Sequence, residues 1–538
     1  MERFNILLLW TDQQRADTLA CLGGRGGVMP HVDALSEDCT VFPRAYCTSP
    51  VCTPSRGSVL TGLMPHAHGA YANKVPLGAD VACLPELLRA CGSWATGYVG
   101  KWHLGDEFFA QHGFERWIAS EDGYQEHFSE GRDRSLVSDY QRWAVGRGYL
   151  PDGRDRWLRD WSMKMPERDS KPAFIVEQAM SFVEGCADRP WMLSVNTLEP
   201  HHPLTGPCGD CFSPEEVDET EDLCFRAAEA PLFVKASRAR WASQGMEDFH
   251  LRDRQSWKQL RAHYMGQCHH VDRQFGRLLG YLKKMGQYDR TLIVYCSDHG
   301  EMMGGHGLFG KCVPYEGAVR VPLMVKLPGQ RVQRRYDSPV SLADIVPTVL
   351  DAAGGWAAGF HGRSLLEACS GGSPGARDEL VMWLAGEALA VPIVSEAKDL
   401  GEPGLLAASV RSNWRTLVTP EGLKYTLMDA GEQMLHDVLQ TPQELCDLVG
   451  RTPAGELHRL RERLGAVMRR VGDGFSWPGE VVSDRGGYNV DVRFFGLHLG
   501  ICRSAEDAGL AGIVGLVRRV VRSGGWSVRF DDGGELDR

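Results

Sequence analysis

The residues with the most reactive potential lie close together in SPVCTPSRGSVLTG, where Cys52, Ser55 and Arg56 fall within five positions. Proline suits a first helical turn, where its missing N–H would go unbonded anyway. Glycine is a common helix stop. The spacing therefore predicts a short helix from Thr53-Pro54 to about Gly62, with Cys52 just ahead of its N-terminus. A thiol there faces free backbone N–H groups and the positive end of the helix dipole, which favour anions and activate cysteine. The plainer alternative is a small buried hydrophobe.

Four apolar runs lead to further polar residues: 5–11 to Asp12-Gln13, 93–99 to Lys101 and His103, 191–196 to His201, and 291–297 to Asp298-His299. Short runs of this kind read as strands buried on both faces of a parallel sheet. Ligands in such sheets sit beyond the carboxyl ends of the strands, so these residues are expected around one crevice. Each has a bland use when taken singly. Asp12 suits a cap, and Lys101 and His103 suit a surface lysine and a packed histidine. Asn73 is a candidate amide donor, His66 and His68 are expected in loops or packing, and Lys311 closes the string GGHGLFGK.

Only three residues separate Cys52 from Arg56, too few for a cysteine phosphatase loop. Cys52-x-Pro54-Ser55-Arg56 instead resembles the signature of the type I, formylglycine-dependent sulfatases of the alkaline phosphatase superfamily. GKWHLG at 100–105 and Pro200-His201-x-Pro203 resemble further motifs of that family. LHDVLQTPQELCDLVG resembles a weakened form of its C-terminal motif, and the likeness runs over roughly residues 4–450. It implies an α/β fold with a large mixed, mostly parallel sheet flanked by helices and a smaller C-terminal α+β subdomain.

The resemblance also implies roles. Cys52 becomes formylglycine, whose hydrated form attacks sulfur and makes a covalent sulfate ester. Asp12, Gln13, Asp298 and His299 hold a divalent metal together with the residue at 52. Arg56 and Lys101 steady the nucleophile, His103 is the base, and His201 and Lys311 bind sulfate oxygens and help protonate the leaving alcohol, with Asn73 as a further substrate contact. Hard oxygen donors favour Ca²⁺ or Mg²⁺, and the imidazole admits Mn²⁺; calcium is the expected ion. The expected substrate is a small-molecule or saccharide sulfate ester, and a maturation enzyme is implied as partner. Many sulfatases carry Asp where Gln13 stands and Asn where His299 stands. Those two departures resemble phosphonate monoester and phosphodiester hydrolases on the same scaffold, whereas Lys101 and His103 lean toward sulfate. A non-catalytic ligand-binding relative is the third reading.

The elements needed to position these residues are visible as well. Helices are expected over 31–38, 84–90, 173–184 and 254–285, the last carrying His269 and His270 as packing residues. Residues 105–170 lack periodicity and read as a loop-rich rim around the site. The domain reading is a catalytic unit over 1–371, an antiparallel subdomain with a helix at 454–471 over 372–485, and an extension over 486–538. A helix at 505–521 in that extension is a candidate oligomer contact.

A net charge of −11 and the lack of a basic stripe argue against nucleic acid as a partner. No run is apolar enough for a membrane span, and residues 5–10 are too short for a signal peptide. Sixteen scattered cysteines fit a reducing cytoplasm better than a disulfide framework. Cys208-Gly-Asp-Cys211 is a lone C-x-x-C with no second pair downstream, a weak signal for zinc.

Overall fold

The computed structural model describes residues 4–538 apart from 151–158, 187–188, 219, 226–229, 247–248, 252, 357, 385–402, 476–489, 495–496, 503–527, 530–534 and 537–538. In chain order the first strands are β1 (Asn5–Thr11), β2 (Thr40–Val41), β3 (Ala45–Tyr46), β4 (Ala95–Gly100), β5 (Arg116–Ala119) and β6 (Trp191–Asn196). They are followed by β7 (Thr291–Ser297), β8 (Arg320–Val321), β9 (Leu323–Lys326), β10 (Arg334–Arg335) and β11 (Val340–Ser341). Eight of these form one sheet in the order β10-β2-β9-β7-β1-β6-β4-β5.

The four apolar runs are four adjacent strands of this sheet. β7, β1, β6, β4 and the edge strand β5 are mutually parallel, and β9 runs antiparallel to β7. Along β1 the side chains divide by alternation. Ile6, Leu8 and Trp10 enter one apolar layer, and Leu7 and Leu9 enter the other. That is what a strand buried on both faces requires. The register pairs Trp10 with Asn196 and Cys296, Thr11 with Ser297, and Gly100 with Asn196, so the carboxyl ends finish on one line.

Helix α1 (Cys52–Thr61) is buried along its whole length and ends at Gly62, whose φ is +71°. It begins one residue earlier than expected, so Cys52 is its first helical residue. Val51, in extended conformation, is the cap. Helices α2 (Lys171–Gly185) and α3 (Arg254–Lys284) lie where helical spacing puts them, and α2 packs on β4, β6 and α3. Residues 105–170 are more ordered than a rim of loops. They supply β5 and a helix over Asp139–Gly146.

A four-stranded antiparallel sheet follows, with β12 (Glu379–Trp383), β13 (Trp414–Val418), β14 (Leu423–Met428) and β15 (Gln433–Asp437) in sequential order. Helix α4 (Ala454–Arg470) covers it, joining Leu460 and Leu464 to Leu417 and Tyr425 in a separate apolar cluster. Further on, Val490–Phe494 pairs with Leu497–Cys502 and Val528–Arg529 with Glu535–Leu536, both antiparallel. The helix expected over 505–521 lies outside the described residues. Among those described, no helix is long and apolar enough to cross a membrane.

Candidate active site

Beyond the aligned carboxyl ends sits a cluster of buried charges. Asp12 follows β1 and Asp298 follows β7, and both are fully buried. The guanidinium of Arg56, one turn into α1, bridges them. Its Nε donates to Asp298 Oδ2 at 2.8 Å, and a terminal nitrogen donates to Asp12 Oδ2 at 2.9 Å. Its other terminal nitrogen donates to the Lys101 carbonyl at 2.7 Å and to Asn196 Oδ1 at 3.2 Å. The Trp10 ring lies 4.6 Å below. Lys101 Nζ completes the set on Asp12 Oδ2 at 2.5 Å. Burial alone would raise the Asp12 pKa, but Lys101 and Arg56 outweigh it and hold the carboxyl well below the usual range.

Asp12 Oδ1 is left facing the thiol. Cys52 Sγ lies 3.8 Å from it, 3.2 Å from His299 Nε2, and 3.7 Å from each of Lys101 Nζ and Lys311 Nζ. Burial and Asp12 push this thiol up, while Lys101, Lys311 and His299 pull harder the other way, so it titrates at about 7. The chain reaches Lys101 through Gly100 at φ +134°, where an added Cβ would strike the Asn196 carbonyl at 2.0 Å. Only glycine fits that turn.

Gln13 is positioned by its backbone N–H, which donates to Asp298 Oδ1 at 3.0 Å. Its amide donates to Glu301 and accepts from Lys311. His299 Nδ1 contacts the Gly300 carbonyl at 2.9 Å, which leaves Nε2 for the crevice. Burial disfavours a charge on that ring, and Asp298 reverses the balance and raises its pKa. The field that attracts a proton there also attracts a metal cation. Oxygens of Asp12 and Asp298, the thiol of Cys52 and a nitrogen of His299 lie within 4.8 Å of one another. Two carboxylates and an imidazole make a chemically fitting donor set for one divalent ion. The Gln13 oxygen is engaged by Lys311 rather than open to that centre.

His103 and His201 flank the cluster. His103 is buried against Tyr124, ring centroids 3.9 Å apart, and its backbone N–H donates to Glu107 at 2.7 Å. Burial, reinforced by Lys101, holds its pKa well below the ordinary value. His201 Nδ1 sits 2.7 Å from the His202 carbonyl, and burial with Lys311 likewise keeps the ring neutral. Asn73 serves α1 directly, its Oδ1 accepting the Thr53 N–H at 3.1 Å. His68 is a packing residue beneath α1, and His66 contacts the Val471 carbonyl at 2.8 Å.

Several contributors escaped the sequence reading. Asn196 accepts the Lys101 N–H at 3.0 Å and donates to Tyr98 at 2.8 Å. Its signal was present, since it ends a strand as Thr11 and Ser297 do. Tyr124, Glu107 and Glu301 had no comparable signal. Beside Gln13, His202 and Lys311 a pocket opens, walled by Phe309, Trp241, Trp383 and Trp414, with Arg240 on its lining.

Comparison with known proteins bears on the family and the fold. The Sulfatase family model matches residues 4–355. An ulvan-active sulfatase of Formosa agariphila is 27% identical, over 88% of this chain and 82% of its own. An arylsulfatase of Clostridium perfringens is 30% identical, over 65% of this chain and 74% of its own. Among solved structures, a phosphonate monoester hydrolase from Silicibacter pomeroyi superposes with a TM-score of 0.71 at 25% identity, over 88% of this chain and 96% of its own.

Proposed function

The chain belongs to the sulfatase family and is a sulfuric ester hydrolase, and we propose that Cys52, matured to formylglycine, is its nucleophile. The observation that carries the proposal is the setting of that residue. It begins a buried helix, with two lysine ammonium groups 3.7 Å from its sulfur and an arginine pinned by two carboxylates one turn on.

A divalent metal held by Asp12, Asp298 and His299 would supply positive charge to the sulfate and acidify a hydroxyl at position 52. Calcium suits the carboxylate donors, with manganese or magnesium as alternatives. Arg56 and Lys101 fix Asp12 through one oxygen and leave the other toward the reacting residue. Because these cations are paired before substrate arrives, their field needs no rearrangement during the reaction. Lys311, free to turn from Gln13, meets the sulfate oxygens. The neutral ring of His103 is ready to take the proton from position 52. His201 keeps Nδ1 on the His202 carbonyl, so Nε2 carries the mobile proton for the leaving alcohol. An anionic ester beside that ring raises its pKa toward neutrality, as an acid requires.

The organic part of the ester is assigned to the indole-walled pocket beside Gln13 and Lys311, which suits a sugar ring or an aryl group. A reducing, cytoplasmic setting is supported by fifteen cysteines that are free thiols.

The test compares release of a chromogenic phenol from an aryl sulfate and a matched aryl phosphonate monoester, with Cys52→Ala as control. Faster turnover of the sulfate, lost in the variant, is the expected result. Preference for the phosphonate would overturn it in favour of the second reading, which Gln13, His299 and the likeness to the Silicibacter enzyme support.

A further inference from the structure

A second concentration of buried polar atoms lies away from the crevice, where the segment after Pro203 crosses α3. The crossing is tight, because a Cβ on Gly266 of α3 would meet the Cys208 carbonyl oxygen at 1.9 Å. Around it, both polar atoms of Gln267 and the Nδ1 atoms of His263 and His270 have no hydrogen-bond partner among the described residues. Gln267 and His270 are fully buried. Buried polar groups are nearly always satisfied, so the open Nδ1 of His270 points to a missing ligand.

The side chains there have the chemistry to hold one. The Cys208 thiol, a nitrogen of His270 and a carboxylate oxygen of Glu167 lie within 4.8 Å of one another. His270 Nε2 is taken by Ser170 Oγ at 2.9 Å, while Nδ1 is open and lies 4.0 Å from Glu167 Oε1. Glu167 is steadied by Arg273 and Gln274, each at 3.2 Å. The turn from Cys208 to Cys211 closes with a backbone hydrogen bond of 3.1 Å, which carries the second cysteine on the same turn as the first. Cys208 is buried and Cys211 is at the surface.

We propose that Cys208, Cys211, His270 and Glu167 form a structural zinc site. Two thiolates, an imidazole and a carboxylate are a tetrahedral zinc set, and the soft sulfurs select zinc against the calcium or magnesium suited to the crevice. Ligand atoms around zinc sit about 3.5 Å apart, so binding draws Glu167, Cys208 and His270 in by roughly an ångström and turns the exposed Cys211 thiol toward them. The thiols give up their protons to the solvent as the metal–sulfur bonds form. Bound zinc would clamp the segment that follows His201 onto α3.

The experiment uses the full chain carrying Cys52→Ala, which removes the crevice thiol. After treatment with a chelator the protein is titrated with Co²⁺. One equivalent should raise a thiolate-to-cobalt charge-transfer band, and Zn²⁺ should abolish it by displacement. Cys208→Ser should remove the band. Cys211→Ser, at the exposed position where folding is least at risk, should weaken cobalt binding at least tenfold. No band in the parent, a band that persists in the double serine variant, or a Cys208–Cys211 disulfide in the freshly isolated protein would overturn the proposal. None of these readouts depends on sulfatase activity.

Discussion

The two ends of the central sheet solve the same problem in opposite ways. At the amino ends of β1 and β6, the buried polar side chains that meet are neutral. Gln287 Oε1 accepts from Asn5 Nδ2 at 3.2 Å and from Trp191 Nε1 at 2.7 Å, and the Trp191 N–H reaches Asn5 Oδ1 at 3.3 Å. At the carboxyl end the groups are charged: Asp12, Asp298, Arg56 and Lys101, all without exposure to solvent. Buried ion pairs seldom stabilise a fold more than apolar or neutral replacements would. The starts of β1 and β6 show that amides and an indole suffice to close these two strands. The charges at the other end are therefore not needed to close the sheet, and the proposed function gives them a use in what they do to a bound anion.

Removing one charge tests this most severely. Arg56→Leu leaves Asp12 and Asp298 buried without their shared partner. The expected cost is about 3–5 kcal/mol in denaturant unfolding, with at least a ~10²-fold loss of aryl sulfate turnover. Stability close to that of the parent would mean the carboxylates are supported by something other than the guanidinium.

Acid sharpens the contrast next. His68 lies under α1 with its Nδ1 accepting the Ala70 N–H at 3.2 Å and its Nε2 on the Pro54 carbonyl at 3.0 Å, an arrangement that needs the neutral ring. Burial lowers its pKa to about 4 from an ordinary 6.5. The folded pKa is below the unfolded one, so its contribution is intact above pH 6.5 and is lost as pH falls from there toward 4. In His68→Gln that loss disappears. Between pH 7 and pH 5 the parent should lose about 2 kcal/mol more stability than the variant, from the usual 1.4 kcal/mol per pH unit. Parallel slopes would exclude His68 as the titrating group.

The amino end should respond least. Gln287→Leu breaks two neutral hydrogen bonds and should cost about 1–2 kcal/mol, with kcat unchanged. A large drop in kcat would show that the two ends communicate through the strands.

How far the sequence foretold all this depended on whether the signal was local. The runs 191–196 and 291–297 became strands with those same limits, because length and apolar content fix a doubly buried strand. The helix expected over 254–285 was read from its periodicity and ends one residue sooner. Asp12, Lys101 and Asp298 were expected at the crevice because each follows such a strand, while the roles expected of them came from the family resemblance. Tyr124 was not, since its place on His103 is made by a segment distant from any motif. The Cys208 turn shows the same limit. A C-x-x-C without a second pair looked incomplete, yet Glu167 and His270, whose side chains lie beside Cys208, come from far along the chain on either side. Residues 105–170 misled through their lack of periodicity, for β5 is too short an edge strand to show a pattern.

The pocket wall carries a consequence for selectivity. Two of its indoles, Trp383 and Trp414, come from β12 and β13, beyond the stretch that matches the family model. On the proposed function, the residues that handle sulfur lie inside that stretch and part of the wall offered to the alcohol lies outside it. A change at Trp383 or Trp414 can therefore alter which alcohol is accepted while every residue of the buried charge cluster stays in place.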